Sequence, residues 1–419
     1  MVKPSSPTPH HLRHYNLSFI DQITAQINGS LVYFFDADDV ANKLNINEAS
    51  NLLKKSLSQV LSLFCPLAGR LLNDNLTVDC NDEGVPFIET RINFSVSHVT
   101  DSSSTDDVCK LLPYDMDEVV DTVLGVQFNV FDCGGIAIGV CISHKVADAM
   151  SDLQFMKNWA AVTRGEPAEQ IRIHFQSSSL FPPKDMLGFD PNLYIGKQKI
   201  VGKRFVFEAS VIESLRTKYS KNVLEGQKPP TRVVALSTFL WTRFVAATKK
   251  EGSKQIHLVG WTANLRPRME PPLPEYAFGN YYWYLQTFPM LDEQGECNDL
   301  GRLLGRELSK IDKDFVVKIR ESEEWNPISE EMVREIEKGE MVLFSVTSLC
   351  RFPMYEVDFG WGNPTMALLP TWKFKNMVCL KDTKSGGGIE AYVNLTGDDM
   401  AKFERDEELF AYVSTTGLQ

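Results

Sequence analysis

Among the residues able to do chemistry, His144 stands apart. It closes the apolar run Ile136-Ala137-Ile138-Gly139-Val140-Cys141-Ile142 and lies four residues before Asp148. A side chain at the C-terminal end of a strand is held rigidly while it faces a crevice. An imidazole there, with its near-neutral pKa, suits a general base, worth typically ~10²- to ~10⁴-fold in rate. Asp148 has two readings. In one continuous helix it would share a face with His144. If His144 still belongs to the strand end, Asp148 starts the helix and favours its positive N-terminus. The bare spacing is common by chance, and a core histidine beside a helix-capping aspartate competes with a catalytic pair. The remaining histidines carry no such context: His10, His11 and His14 lie in a polar leader, and His98, His174 and His257 sit singly.

A second constellation is Asp358-Phe359-Gly360-Trp361-Gly362. Two glycines flanking a tryptophan imply a tight backbone path under a large ring. The carboxylate reads either as a second acid/base group or as a structural partner, and physics favours the structural role. Arg266 and Arg268 are candidate counter-ions. The sequence contains no Gly-x-Ser-x-Gly elbow, no phosphate-binding glycine loop and no His-Glu-x-x-His metal helix. A covalent serine hydrolase, a P-loop enzyme and a zinc peptidase are therefore disfavoured.

The elements that must position these residues follow from patterning. The chain has 419 residues, 43% hydrophobic, enough for two or three domains. A formal charge of −12 argues against phosphate backbones and anionic lipid as partners, so neither nucleic acid nor membrane is expected. The leader has no signal-peptide core and no apolar run approaches a membrane span, so a cytoplasmic protein is expected. Eight scattered cysteines read as reduced thiols. A helix capped by Asn47 carries Leu52, Leu53, Leu57, Val60, Leu61 and Phe64 at helical spacing. The runs 122–131 and 136–142, joined by Asp132-Cys133-Gly134-Gly135, predict a hairpin, followed by a helix over 148–163 that Gly165 stops.

The Pro- and Gly-containing stretch 181–202 reads as a linker, which divides the chain into 1–180, carrying His144 and Asp148, and 203–419, carrying 358–362. In the second part, strands are expected over 203–207 and 255–263 and helices over 232–248, 300–318 and 330–338. A last β-rich set spans 341–393. The fold class is α/β, in two domains of similar size.

His144-x-x-x-Asp148 together with the 358–362 pentapeptide forms the joint signature of the plant BAHD acyltransferases, which this chain resembles along nearly its whole length. Further landmarks fall in that family's order: PSSPTP at 4–9, LSFIDQ at 17–22, CPLAGR at 65–70, VDCNDEGVPF at 78–87 and NLRPR to PPLP at 264–274. The likeness is greatest to its vinorine synthase-like branch of alkaloid O-acetyltransferases.

The resemblance implies two chloramphenicol-acetyltransferase-like domains joined by a crossover loop, with a solvent channel at their interface. It implies acyl-CoA as co-substrate, a small-molecule alcohol as acceptor, no permanently bound cofactor, no metal, and a monomer. His144 would deprotonate the alcohol without an acyl-enzyme. Asp148 would pair with Arg266, and Asp358, Gly360 and Trp361 would form a structural loop, although Asp358 is also a candidate second proton acceptor. Thr347 would help bind the oxyanion. Leu349 stands where many relatives have Trp, which widens an acceptor-pocket wall and removes an N–H donor. Lys203, Arg204, Lys249 and Lys250 are candidate CoA-phosphate contacts. A catalytically silent binding protein of the same fold is the alternative from another class. A carrier-protein-dependent condensing relative is disfavoured because Ser143 precedes His144 and Ala149 follows Asp148.

Overall fold

The structure is a computed structural model that describes the chain apart from residues 73–75, 187–189, 193–194, 196–197, 222–227, 250–254, 294, 322–329 and 415–419. It has two compact units. The first comprises Met1–Ile195, Leu273–Tyr281 and Phe352–Pro370; the second comprises Gly196–Pro272, Tyr282–Arg351 and Thr371–Gln419.

The first unit is built on a five-stranded sheet ordered Met366–Leu368, Asn28–Phe35, Ile136–Ser143, Leu124–Phe131 and Phe87–Ile92. All neighbours are antiparallel except the last pair. The strand Ile136–Ser143 is buried along its whole length, which is why its sequence is a continuous apolar run rather than an alternating one. Gly139 is required within it: a Cβ there would lie 2.0 Å from the carbonyl oxygen of Leu111. Two helices, Ile46–Leu61 and Ala149–Thr163, pack on one another. Their contact is tied by polar bonds inside the apolar seam, Trp159 Nε1 and Thr163 Oγ1 both donating to Ser56 Oγ at 3.0 and 2.8 Å. The first of these helices is capped by Asn45, not by Asn47. The Asn45 side chain accepts from Glu48 N while the Glu48 carboxylate accepts from Asn45 N, a capping box that starts the helix two residues earlier.

The second unit holds a six-stranded sheet ordered Tyr282–Thr287, Ile256–Asn264, Met341–Ser348, Met377–Asp382, Ile389–Thr396 and Ile200–Phe207, with the helix Arg232–Thr248 among its helices. The charged stretch expected over 300–318 is two helices, Leu300–Ser309 and Lys313–Glu321.

The division into two successive halves needs correction. The pentapeptide 358–362 belongs to the first unit because Met366–Leu368 pairs with Asn28–Phe35, Met366 opposite Phe34. Strand pairing across more than three hundred residues leaves no trace in local composition. The expected linker is not a bare connector either. Phe181 is fully buried, its carbonyl accepts from Phe19 N, and Lys184 exchanges two bonds with the Gln22 side chain.

Candidate active site

His144 directly follows the buried strand Ile136–Ser143, and Asp148 is the N-cap of the helix Ala149–Thr163. Of the two readings open from spacing, the strand-end one holds. The four-residue connection is fixed mainly through its backbone. His144 N donates to Ile27 O at 2.8 Å, and the His144 carbonyl accepts from Asn280 Nδ2 at 2.7 Å. The same Asn280 nitrogen donates to Asp21 Oδ1 at 2.7 Å. Lys145, only 3% exposed, directs its ammonium at three carbonyls, those of Asp21, Gln22 and Thr24, at 2.8, 3.1 and 3.1 Å. Three donors meet three acceptors, which satisfies a buried cation without a direct ion pair.

Both oxygens of Asp148 accept backbone N–H groups. Oδ1 takes Ser151 N at 3.0 Å, the N-cap bond, and Oδ2 takes Tyr281 N at 3.0 Å. Ser151 Oγ adds a reciprocal tie, donating to Gly279 O at 2.9 Å and accepting from Gly279 N at 3.0 Å. Gly279 has φ +136°, and a Cβ there would meet Ser177 Cβ at 2.8 Å, so both conformation and space demand glycine. Asp148 therefore couples the start of its helix to the segment 279–281 that also carries Asn280.

His144 remains partly exposed while its Nδ1 is buried. Burial lowers its pKa below the ordinary value; its own backbone, the charge of Asp148 and the Asn280 side chain oppose this. Around it, burial pushes the Asp21 carboxyl up to about 6 and the Lys145 ammonium down to about 8. Burial and then the charge of Asp148 raise Asp152, on the same helix, to about 7; its Oδ1 has no hydrogen-bond partner.

The loop 358–362 is organised by its own aspartate. Asp358 Oδ1 accepts from Gly360 N at 2.7 Å and Gly362 N at 2.9 Å, and Arg164 donates to the Asp358 carbonyl. Gly360 and Gly362 have φ of +109° and +115°, a backbone region that favours glycine. Phe359 and Trp361 stack at 5.6 Å and pack edge-on against Phe35, and Phe359 also meets Trp159 at 5.0 Å. The loop thus clamps the helix that follows Asp148 to the sheet. Asp358→Ala removes the acceptor for two N–H groups at a partly exposed site. We expect a loss of roughly 1–2 kcal/mol in stability and near-normal turnover in the folded fraction. A denaturant melt with a rate assay on the same sample checks it, and a fully stable but inactive variant would assign Asp358 to the chemistry.

The other expected site residues lie in the second unit. Arg266 is 3% exposed and opens the single turn Arg266–Arg268. Thr347 lies near the end of the strand Met341–Ser348, opposite Cys379, and Leu349 follows, buried, its N–H donating to Leu380 O at 2.7 Å. Arg204 is corrected as a phosphate contact. It is 5% exposed within the sheet strand Ile200–Phe207 and lies 3.7 Å from the buried Glu390 carboxylate, so a solvated phosphate does not reach it. Lys203 pairs with Glu404 at 3.1 Å, Lys249 is exposed, and Lys250 lies outside the described residues. Sequence reasoning missed Asp21, Lys145, Ser151 and Asn280. Only Asp21 had a local signal, the Ser18-Phe19-Ile20-Asp21 capping box; the others act through long-range contacts.

Comparison with known proteins bears on this geometry. The model of the Transferase family matches residues 1–410. Limonoid 21-O-acetyltransferase of Melia azedarach is 35% identical over 422 residues, covering 99% of this chain and 96% of that protein. Stemmadenine O-acetyltransferase of Catharanthus roseus is 34% identical, covering 97% and 95%. The crystal structure of vinorine synthase superposes with a TM-score of 0.78 at 33% identity, over 100% of this chain and 98% of that one. A whole-length family match, shared architecture and a histidine held at a strand end converge: the chain belongs to the Transferase family, the BAHD acyl-CoA-dependent O-acyltransferases.

Proposed function

We propose that this protein transfers acetyl, or another short aliphatic acyl group, from acyl-CoA to a hydroxyl of a plant specialised metabolite, with His144 as general base. The acceptor class is an alkaloid or terpenoid alcohol or a sugar hydroxyl, in keeping with the alkaloid and limonoid acetyltransferases that the chain is similar to. The observation that carries this reading is a partly exposed imidazole whose backbone is fixed at both its N–H and its carbonyl. Nε2 takes the proton of the alcohol as its oxygen attacks the thioester carbon. The tetrahedral intermediate collapses with breakage of the C–S bond, and the departing thiolate recovers the proton from the imidazolium. The products are an ester and free CoA thiol, and no acyl-enzyme forms. Thr347 stands in this proposal as the hydroxyl that binds the oxyanion, a type of contact whose loss typically costs roughly 3 kcal/mol. We place the reaction in the cytosol and assign it to a monomer; among the described residues no helix is long and apolar enough to cross a membrane.

The test is release of free thiol from acetyl-CoA against a panel of indole-alkaloid, terpenoid and sugar alcohols, with product identification by mass. Binding of alcohols without thiol release from any of them would favour the silent binding protein. A pH profile adds a second check. The base works deprotonated and its pKa is lowered, so activity is full above that pKa and falls only as pH drops through it. We expect kcat/KM to remain above half its maximum at pH ~6.5, the ordinary histidine value. A half-maximum at pH ~7 or above would contradict the assignment.

A further inference from the structure

We infer that Asn280 is a positioning residue for His144: its side-chain NH₂, anchored on the Asp21 carboxylate, grips the His144 carbonyl and so keeps the ring in the orientation that presents Nε2. The inference rests on the reading of His144 as the base and goes beyond it, to what sets the direction of that base.

Four observations carry it. First, the orientation of the Asn280 amide is forced. Its nitrogen lies 2.7 Å from Asp21 Oδ1 and 2.7 Å from His144 O, and both of these only accept, so the nitrogen must be at that end. Both its N–H bonds are therefore used, and the Asn280 oxygen is turned the other way. Second, Asn280 is fully buried, so water does not compete for those bonds.

Third, the anchor is itself immobile. Asp21 is fully buried, its Oδ2 accepts from Ser18 N at 2.6 Å, and its backbone carbonyl accepts from Lys145 Nζ at 2.8 Å. The residue after the base and the group that steers the base thus share one support. Fourth, the side chain of Asn280 favours the protonated imidazole, against the burial that lowers its pKa. Asp148 grips the next residue, Tyr281, through its N–H, so the segment cannot slide relative to the His144–Asp148 connection. The titratable and charged groups acting around this cluster are Asp21, Lys145, Asp148, Tyr15 and Tyr281.

Of the two ring nitrogens, Nδ1 is the nearer along the side chain to the carbonyl gripped by Asn280, and it is buried. Fixing the direction of that carbonyl fixes the seat of the Nδ1 proton, and with it which nitrogen is basic. A residue that only held the fold would leave the tautomer and the pH profile unmoved.

Asn280→Ala is expected to lower kcat by ~10- to ~100-fold with KM for acetyl-CoA within about twofold. Its acid limb should shift to lower pH, because a group that favoured the protonated ring is gone. In Asp21→Asn/Asn280→Asp the amide and the carboxylate change places. The tie between the two segments survives, but the His144 carbonyl then faces an oxygen instead of a donor, so kcat should stay at least ~10-fold low. Histidine ¹⁵N NMR, with the His144 signals assigned by their loss in His144→Ala, reads the tautomer without substrate. We expect a single Nδ1–H form in the wild type and mixed tautomers in Asn280→Ala. A kcat within threefold of wild type in either variant, or an unchanged tautomer in Asn280→Ala, would overturn the inference. If the wild type releases no thiol with any alcohol, the reading of His144 as base fails, and the tautomer measurement still decides the role of Asn280.

Discussion

Replacing His144 with alanine is expected to leave a folded protein that turns over at least ~10²-fold more slowly. The two halves of that expectation have separate origins. The connection 144–148 is held by bonds that do not involve the imidazole: the main-chain N–H and carbonyl of His144, the ammonium of Lys145 and the carboxylate of Asp148. The ring is partly exposed, so truncating it opens no sealed core cavity. What disappears is the nitrogen that we propose takes the proton from the alcohol. Thiol release from acetyl-CoA, measured beside a thermal melt, reads both halves at once. Near-normal turnover would remove His144 from the base role, and a failure to fold would show that the ring is structural.

Asp148→Ala should do the opposite, damaging structure first and activity through it. The substitution removes a helix N-cap, worth about 0.5–2 kcal/mol. It also strands the buried N–H of Tyr281, which adds about 1–3 kcal/mol for an unsatisfied donor. We expect a combined loss of roughly 2–4 kcal/mol, and turnover reduced in the fraction that remains folded, because the segment 279–281 is freed. Asp148→Asn keeps one acceptor oxygen and so should recover part of the stability, the N-cap bond above all. Chemical denaturation of the three proteins gives the ranking wild type, Asn, Ala. An alanine variant as stable as the wild type would show that neither backbone bond matters.

These two residues were legible in the sequence for a local reason. A continuous apolar run followed at once by a histidine, and an aspartate before a helical stripe, are patterns that a few neighbouring residues define. The same holds for the hairpin, observed as Leu124–Phe131 and Ile136–Ser143 against expected runs of 122–131 and 136–142. Where local signals competed, the finer detail was lost. Asn45 and Asn47 are both good caps, and only the reciprocal bond to Glu48 decides between them. The pentapeptide 358–362 was visible as a tight turn under an indole, yet its membership in the first unit was not, because that follows from the pairing of Met366–Leu368 with a strand near the N-terminus. Arg204 looked like any basic residue; its burial beside Glu390 depends on the register of two strands nearly two hundred residues apart.

By itself, then, the amino-acid order determined the class of chemistry, the strand end that carries His144, the helix that begins at Asp148, and the family. All of these are written in short-range pattern and in motifs whose spacing along the chain is readable. Only the tertiary structure decided that Asp21, Lys145 and Asn280 converge on the connection between His144 and the helix. No local pattern links positions 21, 145 and 280, since a buried hydrogen bond is specified by the geometry of both its ends and neither end carries a mark of the other.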